Sequence, residues 1–169
     1  MRRAFQSWSL PSNLIVGAAL VFMASACSTV SAPPTIYDWL RFAPAETQVW
    51  NNRMPGTRPR CNALLRLQII NHGEQTVQLR NPEGIVIVAP DGVPLRRFSP
   101  LMTIDDRRVR DLTLDVGDSI EVVFRSPDFG LEPIDMTAYP KVRYMLRLES
   151  SVEKTLQFGS PVVEVFETQ

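Results

Sequence analysis

ALLRLQII, at positions 63–70, decides the fold because its side chains follow a repeat of two residues. Leu65, Leu67 and Ile69 fall on one face of an extended segment, whereas the polar Arg66 falls on the opposite face. A repeat of two is typical of a half-buried strand, and an amphipathic helix would repeat every ~3.6 residues. The stretch therefore predicts a β-strand that packs one face against a hydrophobic core.

Similar apolar alternation recurs along the rest of the chain at intervals of about ten residues, separated by turn-forming sequences. The segments predicted to be strands are 63–70, 76–80, 85–89, 93–98, 112–116, 120–124, 142–148, 156–158 and 163–165. Seven to nine short strands without a long helical pattern predict an all-β fold, an antiparallel β-sandwich.

Two turn sequences are predicted to close hairpins. Proline presets φ and glycine tolerates positive φ, so the sequence at 90–92 predicts a tight turn into a returning strand at 93–98. The second hairpin is predicted around Gly117-Asp118, with strands at 112–116 and 120–124 on its two sides.

The order of the turns carries a resemblance to a known class of domain. The chain places Asn-x-Gly-Glu at 71–74, Ala-Pro-Asp-Gly at 89–92 and Leu-x-Val-Gly-Asp-Ser at 114–119. This series resembles the immunoglobulin-like domains of bacterial envelope lipoproteins over residues 62–167. The resemblance implies a sandwich fold and assigns no active-site residue. The Cys, Trp, Cys core of antibody domains is absent from this sequence.

The N-terminus has the composition of a secretion signal. Arg2 and Arg3 precede thirteen uncharged residues, 14–26, which as a helix would reach ~20 Å and fall short of a ~30 Å hydrocarbon core. The stretch is therefore interpreted as a cleaved signal peptide, and the chain divides into a signal at 1–26, a tether and N-terminal extension at 27–60 and a sandwich domain at 61–169.

The end of this signal, Ala24-Ser25-Ala26-Cys27, resembles the lipobox of bacterial lipoproteins, although Ala24 stands where that family usually has leucine. The resemblance implies a diacylglyceryl group on the sulfur of Cys27, an anchor in the membrane, and palmitate-type acylation after cleavage. Ser28 in place of aspartate implies sorting to the periplasmic face of the outer membrane. The alternative interpretation is an Ala-x-Ala site for ordinary signal peptidase, which would release a soluble secreted protein.

The role of Cys61 depends on which cleavage occurs. In a lipoprotein Cys61 is left without a partner, as a buried thiol or as an intermolecular one, and burial is favoured. In a soluble secreted protein, Cys27 and Cys61 could form a disulfide because they are the only two cysteines of the chain.

Composition excludes a polybasic nucleic-acid binder. The 18 basic and 18 acidic residues balance, and removal of Arg2 and Arg3 with the signal leaves a formal charge of −2. The remaining basic residues are arginine apart from Lys141 and Lys154, which permits either a grip on phosphates and carboxylates or a merely solvated surface.

Two loops, 98–110 and 126–139, combine arginine, acids, methionine and aromatics, and they are the predicted contact surface. The candidate contact residues are Arg96, Arg97, Phe98, Arg107, Arg108, Phe129 and Tyr139. A further aromatic-rich stretch at 36–60 is expected to pack on the core, with an exposed contact surface as the alternative.

Catalysis and metal binding find little support. Ser119 lies in a Gly-Asp-Ser-Ile sequence close to the Gly-Asp-Ser-Leu block of serine esterases, but His72 is the only histidine and lies far upstream in a predicted turn. Asp105, Asp106 and Asp111 could suit a hard cation, yet arginines are interleaved with them and favour ion pairing. We therefore expect no catalytic residue, no metal and no cofactor.

The sequence thus predicts a non-enzymatic lipoprotein, held at the outer membrane through Cys27, that acts as a binding or assembly module in the cell envelope with a protein partner and no nucleic acid. Three alternatives stay open at this point. They are an accessory lipoprotein of a trans-envelope secretion or pilus machine, a secreted soluble protein, and a serine hydrolase.

Overall fold

The computed structural model describes residues 35–56, 58–80, 82 and 84–168. The predicted signal peptide and Cys27 lie outside these residues. The described residues form thirteen strands: β1 (Thr35–Ile36), β2 (Leu40–Asn52), β3 (Arg60–Asn71), β4 (Val77–Arg80), β5 (Ile85–Val88), β6 (Pro94–Phe98), β7 (Leu101–Ile104), β8 (Arg107–Arg108), β9 (Asp111–Leu114), β10 (Ser119–Arg125), β11 (Lys141–Ser150), β12 (Leu156–Gly159) and β13 (Val163–Thr168). Within the described ranges, no helix is long and apolar enough to cross a membrane.

The strands form two sheets. The first sheet has the order β13-β2-β3-β10-β7-β8, with β1 paired to the start of β2. The second sheet has β11 at its centre, with β12 on one side and β5 followed by β6 on the other, while β4 pairs with the end of β11 and with β9. Every ladder is antiparallel except the one between β13 and β2, and the start of β13 also pairs with β11, which connects the two sheets.

One hydrophobic core fills the space between the sheets. Alternate residues of β3 and β11 are buried, as the period of two requires, and the core residues of both sheets form a single cluster. The buried Tyr144 of β11 reaches across the core, and its hydroxyl donates a hydrogen bond to the carbonyl of Gln48 in β2 at 2.6 Å. The predicted all-β sandwich is therefore confirmed. The four strands that were not predicted are β1 and β2, in the segment assigned to the N-terminal extension, and β7 and β8, in the segment predicted to be the loop 98–110.

The predicted hairpin at 90–92 is confirmed. The amide of Ala89 donates to the carbonyl of Val93 at 2.8 Å, and β5 and β6 pair in antiparallel register. Gly92 has a φ of 95°, which only glycine adopts without strain at this tight turn.

The hairpin predicted around Gly117-Asp118 is wrong. In the described part of the chain β9 pairs with β4 in the second sheet, whereas β10 pairs with β3 and β7 in the first. The turn therefore carries the chain from one sheet to the other. Local turn chemistry is the same for a hairpin and for such a corner, because only the position of the partner strands distinguishes them.

The turn between β3 and β4 also carries the chain from one sheet to the other, and it lies beside the turn between β9 and β10. Both turns contact Asn71, which is buried at the end of β3. Its side-chain amide donates to the carbonyls of Gln75, Leu114 and Asp115 at 2.9, 3.1 and 3.1 Å, and its side-chain oxygen accepts from the amide of Gly73 at 3.0 Å. One side chain thus satisfies backbone groups of both crossings between the sheets.

The β-sandwich domain begins before residue 61, the predicted boundary. The segment Leu40–Asn52, assigned to the N-terminal extension, is strand β2 and lies between β3 and β13 inside the first sheet. Leu40, Phe42 and Val49 are buried in the core, so the expectation that this aromatic-rich stretch packs on the domain is met at these positions. A register shift between Pro44 and Glu46 interrupts the ladder of β2 with β3 at the proline, which lacks an amide hydrogen.

Candidate anion-binding groove

The outer face of the second sheet carries the candidate site. Because Val142, Tyr144, Leu146 and Leu148 of β11 point into the core, the intervening residues of this strand point away from it. Those residues are mostly cationic, and the list in chain order is Lys141, Arg143, Met145, Arg147 and Glu149. The central strand therefore presents a basic surface on its outer side.

A groove of about 750 Å³ runs over this surface. Its apolar floor is formed by Val86 of β5 and Met145 of β11, which are directly opposed in the ladder. Three arginines on its rim, with one glutamate, complete the charged lining: Arg80, Arg97, Arg147 and Glu149. The described charged residues of the lining therefore sum to +2.

A glycine lets Arg97 reach over β5 toward the strand that carries Arg147. Gly84 comes just before Ile85, whose ladder partner is Leu146, so Gly84 lies beside Arg147 on the neighbouring strand. The side chain of Arg97 covers Gly84, since a Cβ on that glycine would be only 2.8 Å from Nε of Arg97. The guanidinium group of Arg97 is therefore laid across β5 toward Arg147.

The two arginines have no ion-pair partner among the described residues. The acid of the groove, Glu149, is paired instead with Arg80, at 3.7 Å between Oε2 and Nη1. Both of these side chains are more than half exposed, so water screens the pair and it contributes little stability. Within the described ranges, the charges of Arg97 and Arg147 are therefore not balanced by an acid.

The sequence-predicted contact residues do not form one surface. Arg97 lies in the groove, whereas its neighbour Arg96 turns the other way and donates from Nε to the carbonyl of Glu132 at 2.9 Å. Arg96 therefore stabilises the loop that follows β10. Phe98 is only 6% exposed and belongs to the core, so its assignment as a contact residue is wrong, because it is opposite the buried Ile85 in the ladder of β5 with β6 and shares its inward face.

The other four candidates are dispersed. Arg107 and Arg108 are exposed on β8, at the edge of the first sheet, and Phe129 is 71% exposed in the loop after β10. Tyr139 is half-buried against the core. Arg147 and Met145 were not among the sequence-predicted contact residues. The alternation predicted in 142–148 nevertheless placed both on the outward face.

Cys61 is a buried free thiol within the described residues, as the lipoprotein interpretation favoured. Burial raises the pKa of this thiol from 9.0 to about 11, and the nearby charge of Arg96 offsets only part of that effect. A thiol with such a pKa is almost entirely protonated at neutral pH and is a poor nucleophile.

The hydroxyl and imidazole groups considered for hydrolysis have separate partners. Ser119 accepts a hydrogen bond from Nε2 of Gln68 at 3.0 Å, whereas Nε2 of His72 lies 3.2 Å from the carbonyl of Tyr37. A serine nucleophile needs a base in hydrogen-bond contact, and each of these two side chains contacts a different group.

The aspartates of the 105–111 segment are also dispersed. Asp105 and Asp106 occupy the turn between β7 and β8 with positive φ values of 48° and 61°. Asp106 lies 4.0 Å from Arg125, not from the interleaved arginines that the sequence suggested. In the part of the chain that the structure describes, no group of three or more acidic, histidine or cysteine side chains is placed to hold a metal ion.

No protein-family model matches this sequence, and no curated protein matches it significantly. Among solved structures, the chain is similar to the yjhA protein from Bacillus subtilis, with 13% identity over 80% of this chain and 97% of that chain at a TM-score of 0.46. It is similar to the structural genomics target SoR45, with 11% identity over 76% of this chain and 87% of that chain at a TM-score of 0.43. It is also similar to the periplasmic chaperone SfaE, with 11% identity over 76% of this chain and 58% of that chain at a TM-score of 0.34. TM-scores below 0.5 transfer neither ligand nor activity.

Proposed function

We propose that this protein is a non-enzymatic, lipid-anchored module of the bacterial cell envelope that binds an anionic component through the groove on its second sheet. One observation carries the binding half of the proposal: Arg97, which lies over Gly84, and Arg147 line the same groove, and neither has an acidic partner among the described residues. Two uncompensated cations on an apolar floor favour association with an anion.

The anchor half of the proposal rests on the sequence around Cys27. Two or more acyl chains on one residue hold a protein at a bilayer, at ~0.8 kcal/mol per buried methylene. The seven residues 28–34 separate Cys27 from β1, and at ~3.5 Å per residue they reach at most about 25 Å. The sandwich would then lie close to the periplasmic face of the outer membrane, where it meets envelope components.

The anchor is tested on the full chain expressed in a Gram-negative host. The mass of the mature N-terminus and the membrane fractionation of the protein are measured, with Cys27→Ser as the control. We expect a diacylglyceryl mass on residue 27 and recovery in the outer membrane, both lost in the variant. An unmodified N-terminus and recovery in the soluble periplasm would contradict the anchor.

The binding half is tested by extraction of the native chain in an uncharged detergent and identification of what co-elutes with it. We compare the native chain with the double variant Arg97→Glu and Arg147→Glu, and with Arg107→Glu, which reverses an exposed charge far from the groove. We expect an anionic envelope component that follows the native chain and the control but not the double variant. The same components with all three proteins would refute the groove as a binding site.

A further inference from the structure

The chemistry of the groove specifies which anion fits it. We infer that Arg97 and Arg147 bind the phosphate of a phosphate monoester, whose organic group lies on Val86 and Met145. This inference rests on the proposed function, because it names the ligand class of the same groove. It is argued from charge, from shape and from the apolar floor.

The charge of the groove matches a dianion. Arg97 and Arg147 both line the groove, and a phosphate monoester carries a charge of about −1.5 to −2 at neutral pH, with a second pKa near 6. A single carboxylate would neutralise only one of the two arginines. The charge of Glu149 is balanced by Arg80, so Arg97 and Arg147 are the two charges of the described lining that a ligand would neutralise.

The shape of the groove also suits phosphate. Arginine presents several N–H donors in a planar fork, which matches the oxygens of a phosphate better than the point charge of lysine. Gly84 makes room over β5 for the side chain of Arg97, because a Cβ there would lie 2.8 Å from Nε of Arg97 and 3.5 Å from its Nη2. The absence of this one carbon lets the Arg97 fork lie low across the strand, next to Arg147.

The apolar floor of the groove favours a ligand whose phosphate carries an organic group. Val86 and Met145 are half-buried and directly opposed, with Arg97 opposite Val86 on the next strand. An apolar surface of two side chains gains little from an inorganic ion, whereas an alkyl or aromatic group attached to the phosphate covers it. The groove therefore prefers an ester of phosphate to phosphate alone.

The inference is tested by calorimetric titration of the full chain in an uncharged detergent with phenyl phosphate at pH 7.5. Benzoate is the carboxylate comparison and inorganic phosphate the comparison without an organic group. We expect phenyl phosphate to bind at least tenfold more tightly than either, and its affinity to fall at pH 5, where the phosphate is a monoanion. Arginine keeps its charge over that range.

The variants make the test specific to the groove. Arg97→Gln and Arg147→Gln should each weaken phenyl phosphate binding by about tenfold or more, since each removes hydrogen bonds to a charged group. Gly84→Ala should also weaken it by displacing Arg97. The matched controls are Arg107→Gln and Arg108→Gln, which remove exposed charges on β8, outside the groove. Both controls should bind as the native chain does.

Equal binding of benzoate, or losses in the controls as large as those in the groove variants, would overturn the inference. So would absence of phenyl phosphate binding up to millimolar concentration. If the co-elution experiment still shows a groove-dependent anionic component in that case, the proposed function stands and only the ligand class is wrong.

The source of the phosphate is resolved with membranes. Nanodiscs that carry the lipid-anchored chain are prepared with phosphatidic acid, a monoester, or with phosphatidylglycerol, a diester, and are titrated with phenyl phosphate. A lipid headgroup as ligand predicts competition by phosphatidic acid only, with apparent affinity for phenyl phosphate reduced at least tenfold. Equal affinity in both membranes assigns the site to a free phosphate monoester. Both results support the inference.

Discussion

The hydroxyl of Tyr37 forms two hydrogen bonds with the backbone of Gln157: it donates to the carbonyl at 2.9 Å and accepts from the amide at 2.7 Å. Gln157 lies in β12, which pairs with β11 on one side. A side chain from the N-terminal segment thus occupies the place of a neighbouring strand at the edge of the second sheet. Exposed strand edges favour pairing with other chains, and Tyr37 covers part of this one.

Removal of that hydroxyl should loosen the edge of β12. We expect Tyr37→Phe to lower the free energy of unfolding by about 0.5–1.5 kcal/mol, because water can replace part of an exposed hydrogen bond. The amide of Gln157 should exchange with solvent at least tenfold faster, as measured by hydrogen exchange and NMR. The control is Tyr139→Phe, since the Tyr139 hydroxyl makes no hydrogen bond to any described residue. Unchanged exchange at Gln157 in Tyr37→Phe would contradict the role of the Tyr37 hydroxyl.

Asn71 should be among the positions least tolerant of substitution. Asn71→Ala removes the side-chain partner of three carbonyls and one amide of the two sheet crossings at a buried position. Of these groups, the carbonyl of Asp115 and the amide of Gly73 each keep a backbone hydrogen bond. We expect a loss of about 2–4 kcal/mol in the free energy of unfolding, measured by urea denaturation. Asn52→Ala is the matched control, because among the described residues the Asn52 side chain accepts from the exposed amide of Met54 alone, and its loss should cost less than about 1 kcal/mol. Equal losses would contradict the assignment.

The stability of the protein should fall at alkaline pH. Burial raises the pKa of Cys61 from 9.0 to about 11, and it raises the pKa of Tyr144 well above its usual value of 10.0. Because the folded pKa lies above the unfolded one, the folded chain keeps a proton that the unfolded chain releases. The contribution of the thiol is complete below about pH 9 and is lost as the pH rises to about 11, with a slope of about 1.4 kcal/mol per pH unit.

Chemical denaturation at pH 8, 9, 10 and 11 measures this dependence. Cys61→Ala removes the contribution of the thiol, so its free energy of unfolding should change less between pH 9 and pH 10, whatever its value at pH 8. The native thiol should also react with a disulfide reagent at pH 8 only as fast as the domain unfolds. Rapid labelling of the folded chain would show that Cys61 is accessible.

Gly117 tests the backbone of the second sheet crossing. Its φ of 82° lies in the left-handed region, and no atom lies within 4 Å of a Cβ placed there. Any cost of Gly117→Ala is therefore conformational, and we expect about 1–2 kcal/mol of destabilisation by thermal or urea unfolding. Gly159→Ala, at a glycine without positive φ, should change stability by less than half as much. Equal costs would contradict a conformational origin.

Much of the fold follows from local sequence. The alternation at 63–70 and at 142–148 placed Leu65 and Tyr144 in the core, since a strand points successive side chains to opposite faces whatever its neighbours are. The same local rule gave the hairpin at Gly92. It also put Arg147 on the outward face, although nothing local indicated that a groove would form there.

Sequence alone determined nine of the described strands and the tight turn at 90–92, because period and turn chemistry are properties of neighbouring residues. Tertiary structure decided the rest. It turned Gly117-Asp118 into a crossing between sheets, drew β2 into the first sheet and laid Arg97 over Gly84 toward Arg147. Those outcomes depend on which strands pair across long separations, and pairing is settled by the burial of all faces together.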